Sequence, residues 1–471
     1  MRVNNPVSYP VPRTAEGAPA ARITAEQELR RLSACCMLWE DGFYVDGKTI
    51  AERIRELVAL VSPEFAAAVA YEARTRQKLR HLPLWVAREM ARLPAHKHLV
   101  GRLLPDIIQR PDEITEFLAL YWKDDPKGKR SPVSSQVKKG LAAAFAKFDE
   151  YRLAKYDRDG AVKLRDALFL SHARPSDARP GFALNTRVQR RLERDGGAAL
   201  DRSPGEELFR RVAERKLATP DTWEVALSAG ADKAGTFERL MAEGALGGLA
   251  FLRNMRNMRD AGVARAVVAH YATTAKIDRI LPFRFIAAAR AVPEWEDIIE
   301  PMMLRALAER PVFPGRTILL IDASGSMSSK VSGKSDISRL DAACGVAIFL
   351  RELADYIDVF TFSDDVRRVP PRRGFALRDA IGHPRGGTRL GAAVRAVSEQ
   401  GHDRLIVITD EQSQDAVPNP VRTGYMVNVA SERNGVGYGA WRRVDGWSEA
   451  VIDYIQHLEA DEAAVGALEV A

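Results

Sequence analysis

The stretch Ile318–Ser329 (ILLIDASGSMSS) decides the fold of the last third of the chain. Its first four residues are apolar, which is typical of a short strand buried on both faces. The apolar run ends at Asp322, and Ser324 and Ser326 follow at alternate positions on a loop that contains a glycine. In open α/β sheets, ligands bind outside the carboxyl ends of the strands. The carboxylate and the two hydroxyls therefore lie where a binding site is expected.

Around this stretch, short apolar runs alternate with helical patterns. The run that contains Ile318 and three later runs have the length of strands: Thr317–Ile321, Ile357–Phe362, Arg404–Thr409 and Tyr425–Val429. Helical patterns separate or follow them at Leu340–Tyr356, Leu390–Gln400 and Trp447–Leu458. This alternation predicts a doubly wound, mainly parallel α/β sheet of Rossmann type. We expect it to form a domain over residues 314–471.

Two further oxygen donors follow later strands of this predicted sheet. Asp410 ends the run IVITD, and Thr388 lies in a Gly-Gly-Thr turn before a helix. Carboxylate and hydroxyl oxygens are the hard ligands that Mg²⁺ prefers. The sequence therefore predicts a divalent-cation site, most simply for Mg²⁺, and its ligand set is Asp322, Ser324, Ser326, Thr388 and Asp410. The alternative is a serine-rich turn that only caps the next helix.

The same five residues resemble the metal-ion-dependent adhesion site of von Willebrand factor A domains. That site has the pattern Asp-x-Ser-x-Ser, then a later Thr and a later Asp, and all five positions are filled here. The resemblance implies that the serines and the threonine coordinate the cation, and that the aspartates hold water ligands. It also implies an open coordination position that accepts an acidic group from a partner.

The region before this domain has a different pattern. From residue 23 to about residue 307, apolar residues recur at three- and four-residue spacing, as in Thr49–Val61 (TIAERIRELVALV). Many helices with short connections predict an α-solenoid or an irregular helical array, although no fixed repeat length stands out. We expect this helical domain to cover residues 18–310.

Charge is distributed unevenly between the two regions. Through Phe313 there are 52 Lys and Arg against 41 Asp and Glu, a net charge of +11, and the remainder has 18 against 22, a net charge of −4. Together they give the +7 of the whole chain. A basic helical region favours a polyanion such as nucleic acid. The alternative is a charge that only keeps the protein soluble.

Composition bounds the compartment and excludes some classes of protein. Three cysteines fit neither a disulfide framework nor a zinc quartet, so a reducing cytoplasm is expected. No window approaches the ~18 apolar residues of a membrane span, and no secretory signal is recognisable at Met1–Thr14. We also find no His/Cys dyad, no phosphate-binding loop and no paired acids beside a nucleophile, so we do not expect an enzyme.

One basic helical segment combines two faces. In Leu252–Arg259, an apolar stripe runs beside a cationic row, with Asn254 and Asn257 between the arginines. The stripe consists of Leu252, Met255 and Met258, and the row consists of Arg253, Arg256 and Arg259. Guanidinium and amide groups suit phosphates and base edges, so the row is a candidate RNA-binding surface. The alternative is a surface helix whose arginines are solvated or paired with carboxylates.

Several stretches resemble, in order, the TROVE module of Ro RNA-binding proteins. They are Arg31–Tyr44 (RLSACCMLWEDGFY), Asp166–Pro175 (DALFLSHARP), Gly247–Gly262 (GGLAFLRNMRNMRDAG) and Leu281–Phe285 (LPFRF). An A-type domain follows directly, so the resemblance extends from about Ile23 to the C-terminus. It implies a ring of HEAT-like helical repeats that is closed by the A domain. It also implies binding of small noncoding Y RNAs on the outer surface, and of single-stranded RNA ends in the central hole.

The resemblance also indicates individual RNA-binding residues in the first half of the chain. His172 lies in a motif that the family uses for Y RNA, and Lys155 begins a Lys-Tyr pair that carries a phosphate-binding lysine. The arginine expected four residues after Lys155 is Asp159, with Arg158 one place early, and this departs from the family pattern. Lys138 and Lys139 are further candidate phosphate contacts.

These observations lead to one main hypothesis and one alternative. The main hypothesis is a noncatalytic, monomeric RNA-binding ring of a bacterial-type cytoplasm. It would hold Y-type, misfolded or maturing RNA and act in RNA quality control with an exoribonuclease. The alternative is a protein-interaction adaptor whose A domain uses its cation to bind an acidic partner. No contact with a membrane is expected in either case.

Overall fold

The computed structural model describes most of the chain. The described residues are 12–20, 24–34, 47–75, 79–126, 129–178, 202–277, 280, 282–308, 312–331, 337–430, 435–437, 439–445, 451–452, 455–456 and 459. They form two compact units, one of which combines residues 1–51 with 230–471, while residues 52–229 form the other.

The unit formed by residues 52–229 is helical throughout its described part. Helix α2 (Gly47–Leu60) leads into it, and the following helices are α3 (Pro63–Thr75), α4 (His81–Arg92), α5 (Lys97–Ile107), α6 (Pro111–Tyr121), α7 (Ser135–Phe145), α8 (Glu150–Tyr156), α9 (Leu164–Ser171), α10 (Pro204–Glu214) and α11 (Trp223–Ser228). Neighbouring helices pack on one another, as α3 does on α4 and α4 on α5. A Cβ at Gly140 of α7 would lie 2.8 Å from the Cβ of Leu104, so this glycine allows α5 and α7 to approach closely.

A buried ion pair joins two helices of this unit. Arg74 of α3 donates to both oxygens of Glu113 at 2.6 and 2.9 Å, and the Glu113 side chain is fully buried. The backbone N–H groups of Gln109 and Arg110 donate to the same carboxylate at 2.8 and 3.1 Å. Burial nevertheless raises the pKa of Glu113 above its usual value, against the opposing charge of Arg74. The pair therefore depends on having all of its hydrogen-bond partners.

The other unit begins with helices and continues into a sheet. Its helices are α1 (Ala25–Ala34), α12 (Lys233–Ala242), α13 (Gly248–Asp260), α14 (Arg265–Thr274), α15 (Pro282–Ala291), α16 (Glu296–Arg305), α17 (Arg339–Leu353), α18 (Gly374–Ile381) and α19 (Leu390–Ser398). Its strands are β1 (Phe313–Asp322), β2 (Ala354–Phe362), β3 (Val366–Arg368), β4 (Arg404–Thr409), β5 (Thr423–Asn428) and β6 (Trp441–Asp445). Helix α1 packs on β6, so segments from both ends of the chain meet in this unit.

The strands form one sheet in the order β3-β2-β1-β4-β5-β6. All neighbours pair in parallel except β2 and the edge strand β3, which are antiparallel. Residues 317–322 of β1 are buried without interruption, because helices cover both faces of a parallel sheet. On one face, Ile318 and Leu320 pack with Leu390 and Val394 of α19. The predicted fold class, a helical region followed by a doubly wound, mainly parallel α/β sheet, is confirmed.

The structure corrects several predicted details. The helix predicted at Leu340–Tyr356 ends at Leu353, and β2 already begins at Ala354. Strands β3 and β6 had no clear signal because they are short and polar, and helix α18 had none because it spans only 8 residues. The helix predicted at Trp447–Leu458 falls largely outside the described residues.

The sequence pattern changes at residues 311–314, but the boundary between the two compact units does not lie there. Strand β1 starts at Phe313, close to the predicted start of the α/β domain. Helices α15 and α16 precede it in the chain but pack against α17 and α18. The last helices of the basic region thus belong to the same unit as the sheet. Among the described helices, none is long and apolar enough to cross a bilayer.

Candidate cation site and basic surfaces

The strand order reverses between β1 and β4. The chain winds outward from β1 through β2 to β3 on one side and from β4 through β5 to β6 on the other. A ligand crevice forms at the carboxyl ends of the two strands where the winding reverses. Asp322 is the last residue of β1, and Asp410 directly follows β4.

Asp322 is completely buried and held at both oxygens. Its Oδ1 accepts the Ser324 N–H at 2.8 Å, and its Oδ2 accepts the Thr409 hydroxyl at 2.6 Å. Burial, and next the nearby charge of Asp410, raises the pKa of Asp322 to about 7. Two acidic groups are therefore confined together in a region of low dielectric constant, where a cation would stabilise their ionised forms.

The hydroxyls of the predicted set lie on loops that are tied together. The Oγ atoms of Ser324 and Ser326 are 3.2 Å apart. The Gly325 N–H donates to the Gly386 carbonyl at 3.2 Å, which joins this loop to the turn that carries Thr388. The Thr388 carbonyl in turn accepts the N–H of Gln414, from the loop after β4, at 2.9 Å. Backbone hydrogen bonds therefore bring the loops of all five predicted ligands together.

Arg339, the first residue of α17, is the charge that compensates Asp410. Its guanidinium lies 3.1 Å from Asp410 Oδ2, and both side chains are almost completely buried. With both carboxylates ionised, Asp322, Asp410 and Arg339 carry one excess negative charge. Two carboxylates and three hydroxyls on linked loops fit a hard divalent cation. Ser324, Ser326 and Thr388 would supply direct ligands, and the aspartates would supply charge.

Two partners of this site had no recognised sequence signal. Thr409 directly precedes Asp410 but was part of the apolar strand pattern, so its hydrogen bond to Asp322 was not expected. Arg339 lies far from Asp410 in the chain, and nothing in the sequence pairs them. The described residues contain no cluster of three or more His, Cys, Asp or Glu side chains that could hold a metal ion.

The candidate RNA-binding residues of the helical unit form no ion pair with any carboxylate that the structure describes. Lys138 and Lys139 lie on α7, Lys155 lies on α8, Arg158 follows α8, and His172 follows α9. Within the described part of the chain, no salt bridge joins any of these five side chains to an acidic residue. Lys139, Arg158 and His172 are exposed, and the other two are half-buried. The lysines, Arg158 and the imidazole of His172 are therefore accessible to an external anion.

His172 has an unusual backbone conformation. It ends α9 in the left-handed region, with a φ of 55°, which is more often occupied by glycine. A non-glycine residue in this region carries a small conformational cost and occurs preferentially at functional positions. The side chain is exposed, so the histidine does not compensate for this cost by burial in a core.

Asp159, where the family pattern expects an arginine, is itself paired. It contacts Arg215 at 3.0 Å and Lys163 at 3.4 Å. The carboxylate thus neutralises part of the basic charge near Lys155 and Arg158. Asp159 therefore reduces the positive charge at this end of α8. It also forms ion pairs with Arg215 and Lys163.

On α13 the three arginines differ. Arg253 and Arg256 are exposed, and no described carboxylate forms a salt bridge with either. Arg259 contacts both Asp260 and Glu294 at 2.8 Å. Arg253 and Arg256 are thus available to a ligand, whereas Arg259 is already neutralised by α13 itself and by the segment before α16.

The asparagines of α13 correct the predicted pattern. Asn254 is 2% exposed rather than outward-facing, and its amide nitrogen donates to the Ala250 carbonyl at 2.8 Å. Its side-chain oxygen accepts the amide of Asn257 at 2.9 Å. Only Asn257 is exposed beside the arginines. Asn254 therefore stabilises the helix and is not presented to a ligand.

A further arginine adds to the positive charge near α13. Helix α15, which begins with the motif PFRF, packs against α13. Burial, and next the charge of Arg253, lowers the pKa of Arg284. Two arginines from separate family motifs thus act on each other electrostatically. The motif at Arg31–Tyr44 lies mostly outside the described residues.

Comparisons with known proteins agree with this picture. The TROVE domain model matches residues 198–311. Telomerase protein component 1 from Rattus norvegicus is 25% identical over 328 residues, which cover 56% of this chain and 12% of the relative. The Mus musculus protein of the same name is 26% identical over 327 residues, with the same coverage. The chain thus spans about an eighth of the length of these relatives.

A solved structure has the same fold over most of the chain. The Ro (Rsr) protein of Deinococcus radiodurans superposes with a TM-score of 0.56, and the match covers 91% of this chain and 97% of that one. The two sequences are 17% identical, so the match establishes the fold alone. Together with the TROVE match, it confirms the resemblance to Ro proteins that the sequence motifs indicated.

Proposed function

We propose that this chain, which contains a TROVE domain and has the fold of a Ro protein, is a noncatalytic RNA-binding protein of the cytoplasm. It binds small Y-type noncoding RNA and the single-stranded ends of misfolded or maturing structured RNA. It presents these RNAs to an exoribonuclease. The observation that carries the proposal is a set of basic side chains on α7, α8 and α13 that form no salt bridge with the described carboxylates.

The α13 surface suits a single-stranded RNA end. Arg253 and Arg256 are exposed one turn apart, and Asn257 is exposed beside them. Leu249, one turn before Arg253, is 41% exposed and offers an apolar contact for bases. Arginine provides both phosphate contacts and a planar group for stacking. The helix can therefore bind RNA with little dependence on base sequence.

The basic residues of the other unit suit a structured RNA. Lys138, Lys139, Lys155, Arg158 and His172 come from three successive helical segments, and none has a described acidic partner. We assign the Y-type RNA to these residues. Asp159 and its two cationic partners make this surface less basic than the family pattern implies, so we expect a lower affinity here than for a chain with arginine at that position.

Segments from both ends of the chain contribute to one compact unit. Residues 1–51 belong to the same compact unit as residues 230–471, and α1 packs on the last described strand. The chain leaves this unit, forms the helical unit and returns.

The cation site has a separate role in this proposal. A divalent cation, most simply Mg²⁺, held by the hydroxyls of Ser324, Ser326 and Thr388 would bind an acidic group of a protein partner. Asp322 and Asp410 provide its negative charge. The site has two carboxylates, one of them paired with Arg339, and so differs from the carboxylate-rich two-metal centres of nucleases. This supports a binding role rather than a catalytic one.

The proposal is tested by RNA binding at several salt concentrations. The purified full-length chain should bind a structured RNA with a single-stranded 3′ tail, and affinity should fall steeply as salt rises, because phosphate contacts release counterions. Combining Arg253→Ala with Arg256→Ala should weaken this binding. Unchanged binding of the double variant at moderate salt would exclude α13 as the site. A wild-type chain that binds no RNA, but retains a protein in a cation-dependent way, would favour the adaptor alternative.

A further inference from the structure

The N-terminal strap, which we define as residues 12–20, is a compact turn. The Thr14 carbonyl accepts the Gly17 N–H at 3.0 Å, and the Thr14 N–H donates to the Ala18 carbonyl at 2.9 Å. The Ala20 N–H donates to the Pro12 carbonyl at 2.7 Å, which closes the segment. Thr14, Ala18 and Ala20 are at most 7% exposed. The strap is therefore packed against the rest of its unit.

Two hydrogen bonds attach the strap to the loop after β4. The Thr14 hydroxyl donates to the Ser413 carbonyl at 3.0 Å. The Ala15 N–H donates to the Gln412 side-chain oxygen at 2.5 Å. Gln412 and Ser413 are at most 1% exposed. These bonds join residues about 400 positions apart in the chain, inside the same compact unit.

Gln412 connects this contact to the cation site. Its amide nitrogen donates to the Asp410 carbonyl at 3.3 Å, while its amide oxygen accepts the bond from Ala15. The Gln412 backbone N–H donates to Asp410 Oδ1, also at 3.3 Å. One side chain thus contacts the strap at one end and, at the other, the residue that supplies a carboxylate to the site.

We infer that the N-terminal strap is a positioning element of the cation site and acts through Gln412 on Asp410. This inference rests on the proposed cation site. When the strap is docked, Gln412 is fixed and the Asp410 backbone and carboxylate are held in the arrangement described above. Because the strap contacts the loop of one ligand residue, strap docking and cation binding are thermodynamically linked, and each strengthens the other by the same factor.

Two variants remove the strap contacts with little other change. Ala15 is the second residue of the turn from Thr14 to Gly17, a position that accepts proline, so Ala15→Pro removes the N–H to Gln412 and retains the turn. Thr14→Val keeps the side-chain shape but loses the hydroxyl bonds to Ser413 and from Ala18. Glu16→Gln, at an exposed position of the same turn, is the matched control.

The experiment measures Mn²⁺ affinity of the full chain by calorimetry, together with the rate of tryptic cleavage after the exposed Arg13. We expect Ala15→Pro and Thr14→Val to be cleaved faster than wild type in EDTA and to bind Mn²⁺ about fivefold or more weakly, as for a typical linkage. Glu16→Gln should match wild type in both assays. By reciprocity, Mn²⁺ should slow cleavage of the wild-type chain.

Three outcomes would overturn the inference, and they are distinguishable. Faster cleavage of both variants with Mn²⁺ affinity equal to wild type would make the strap a structural element only. Unchanged cleavage in EDTA would show that these two bonds do not hold the strap. A wild-type chain that binds no Mn²⁺ would refute the proposed cation site itself, and the inference with it.

Discussion

The cation site and the arginine row of α13 are both polar and belong to one compact unit, but they are built in opposite ways. At the site, Asp322, Ser324 and Asp410 are at most 1% exposed, and each has hydrogen-bond partners. On α13, Arg253 and Arg256 are exposed, and no described carboxylate pairs with them. The first group of side chains is buried and hydrogen-bonded, whereas the second is exposed to solvent.

This difference teaches how each surface should select its ligand. Linked loops that hold several oxygens at fixed positions suit one small, hard ion, and the loss of a ligand should abolish binding. Exposed guanidinium groups suit a long, flexible anion, and each should add a modest share of a salt-dependent affinity. Substitutions should consequently act in an all-or-none way at the site and in a graded way on the helix.

The largest effect is expected when the site loses its central ligands. Combining Asp322→Ala with Ser324→Ala should weaken Mn²⁺ binding at least ~100-fold, because a carboxylate and a hydroxyl ligand are removed together. RNA affinity should stay within about twofold of wild type, since no phosphate contact is lost. Calorimetry with Mn²⁺ and an RNA-binding titration measure the two quantities. Ser328→Ala, at an exposed residue of the same loop, is the control. A large loss of RNA affinity would show that the cation and the RNA bind at the same site.

The next effect concerns the charge that compensates Asp410. Arg339→Met should lower the free energy of unfolding in EDTA by about 3 kcal/mol, because the Asp410 carboxylate then loses the buried guanidinium that contacts it. Added Mg²⁺ should restore more stability in this variant than in wild type, since the cation then replaces the missing positive charge. Urea denaturation with and without Mg²⁺ measures both. Arg389→Met, at an exposed position beside Thr388, should behave like wild type. Equal Mg²⁺ stabilisation of Arg339→Met and wild type would argue against a cation beside Asp410.

A smaller effect is expected on α13. Combining Arg253→Ala with Arg256→Ala should reduce RNA affinity about tenfold at moderate salt and lower the salt slope by about 1.4, as two single-strand phosphate contacts are lost. Arg259→Ala is the matched control on the same helix, because its guanidinium is already engaged by Asp260 and Glu294. Its RNA affinity should stay near wild type. If Arg259→Ala weakened binding as much as the double variant, exposure without a carboxylate partner would not be the property that matters.

The smallest effect is expected at Asp159. Asp159→Asn removes one negative charge and releases Arg215 and Lys163 from their ion pairs. Affinity for a structured RNA should rise about two- to threefold at low salt and return to the wild-type value at high salt, where exposed charges are screened. Gel-shift titrations at the two salt concentrations would measure it. A loss of affinity would mean that Asp159 organises this surface instead of weakening it.

The fold, and the positions of Asp322 and Asp410 at the ends of β1 and β4, could be predicted largely from the sequence, for a physical reason. A strand buried on both faces must be apolar throughout, so β1 and β4 are recognisable, and so are the polar residues directly after them. The partners that act across the fold could not be predicted. Arg339 and Asp410 are 71 residues apart, and Thr14 and Ser413 are 399 apart. A local sequence pattern does not indicate contacts between residues that are so far apart in the chain.

The basic surfaces were predictable only in part. The three-residue spacing of the α13 arginines indicated one common face. Ion pairs with carboxylates, however, determine which of the three arginines are available to a ligand. Glu294, which engages Arg259, comes from a different segment of the chain. Asn254 follows the polar pattern of the helix, yet it is buried, because its amide can satisfy the Ala250 carbonyl and accept a bond from Asn257. Burial of a hydrogen-bonded amide costs little, and the sequence cannot distinguish it from exposure.

One measurement tests most directly the central claim that RNA binds the basic helices and not the cation site. The full chain is crosslinked by ultraviolet light to a structured RNA with a single-stranded 3′ tail, and the crosslinked peptides are identified by mass spectrometry. We predict crosslinks in α13 (Gly248–Asp260) and in the helical unit at residues 135–172, in Mg²⁺ and in EDTA alike. Crosslinks concentrated on the loops of residues 322–328 and 410–414, and lost in EDTA, would contradict the account.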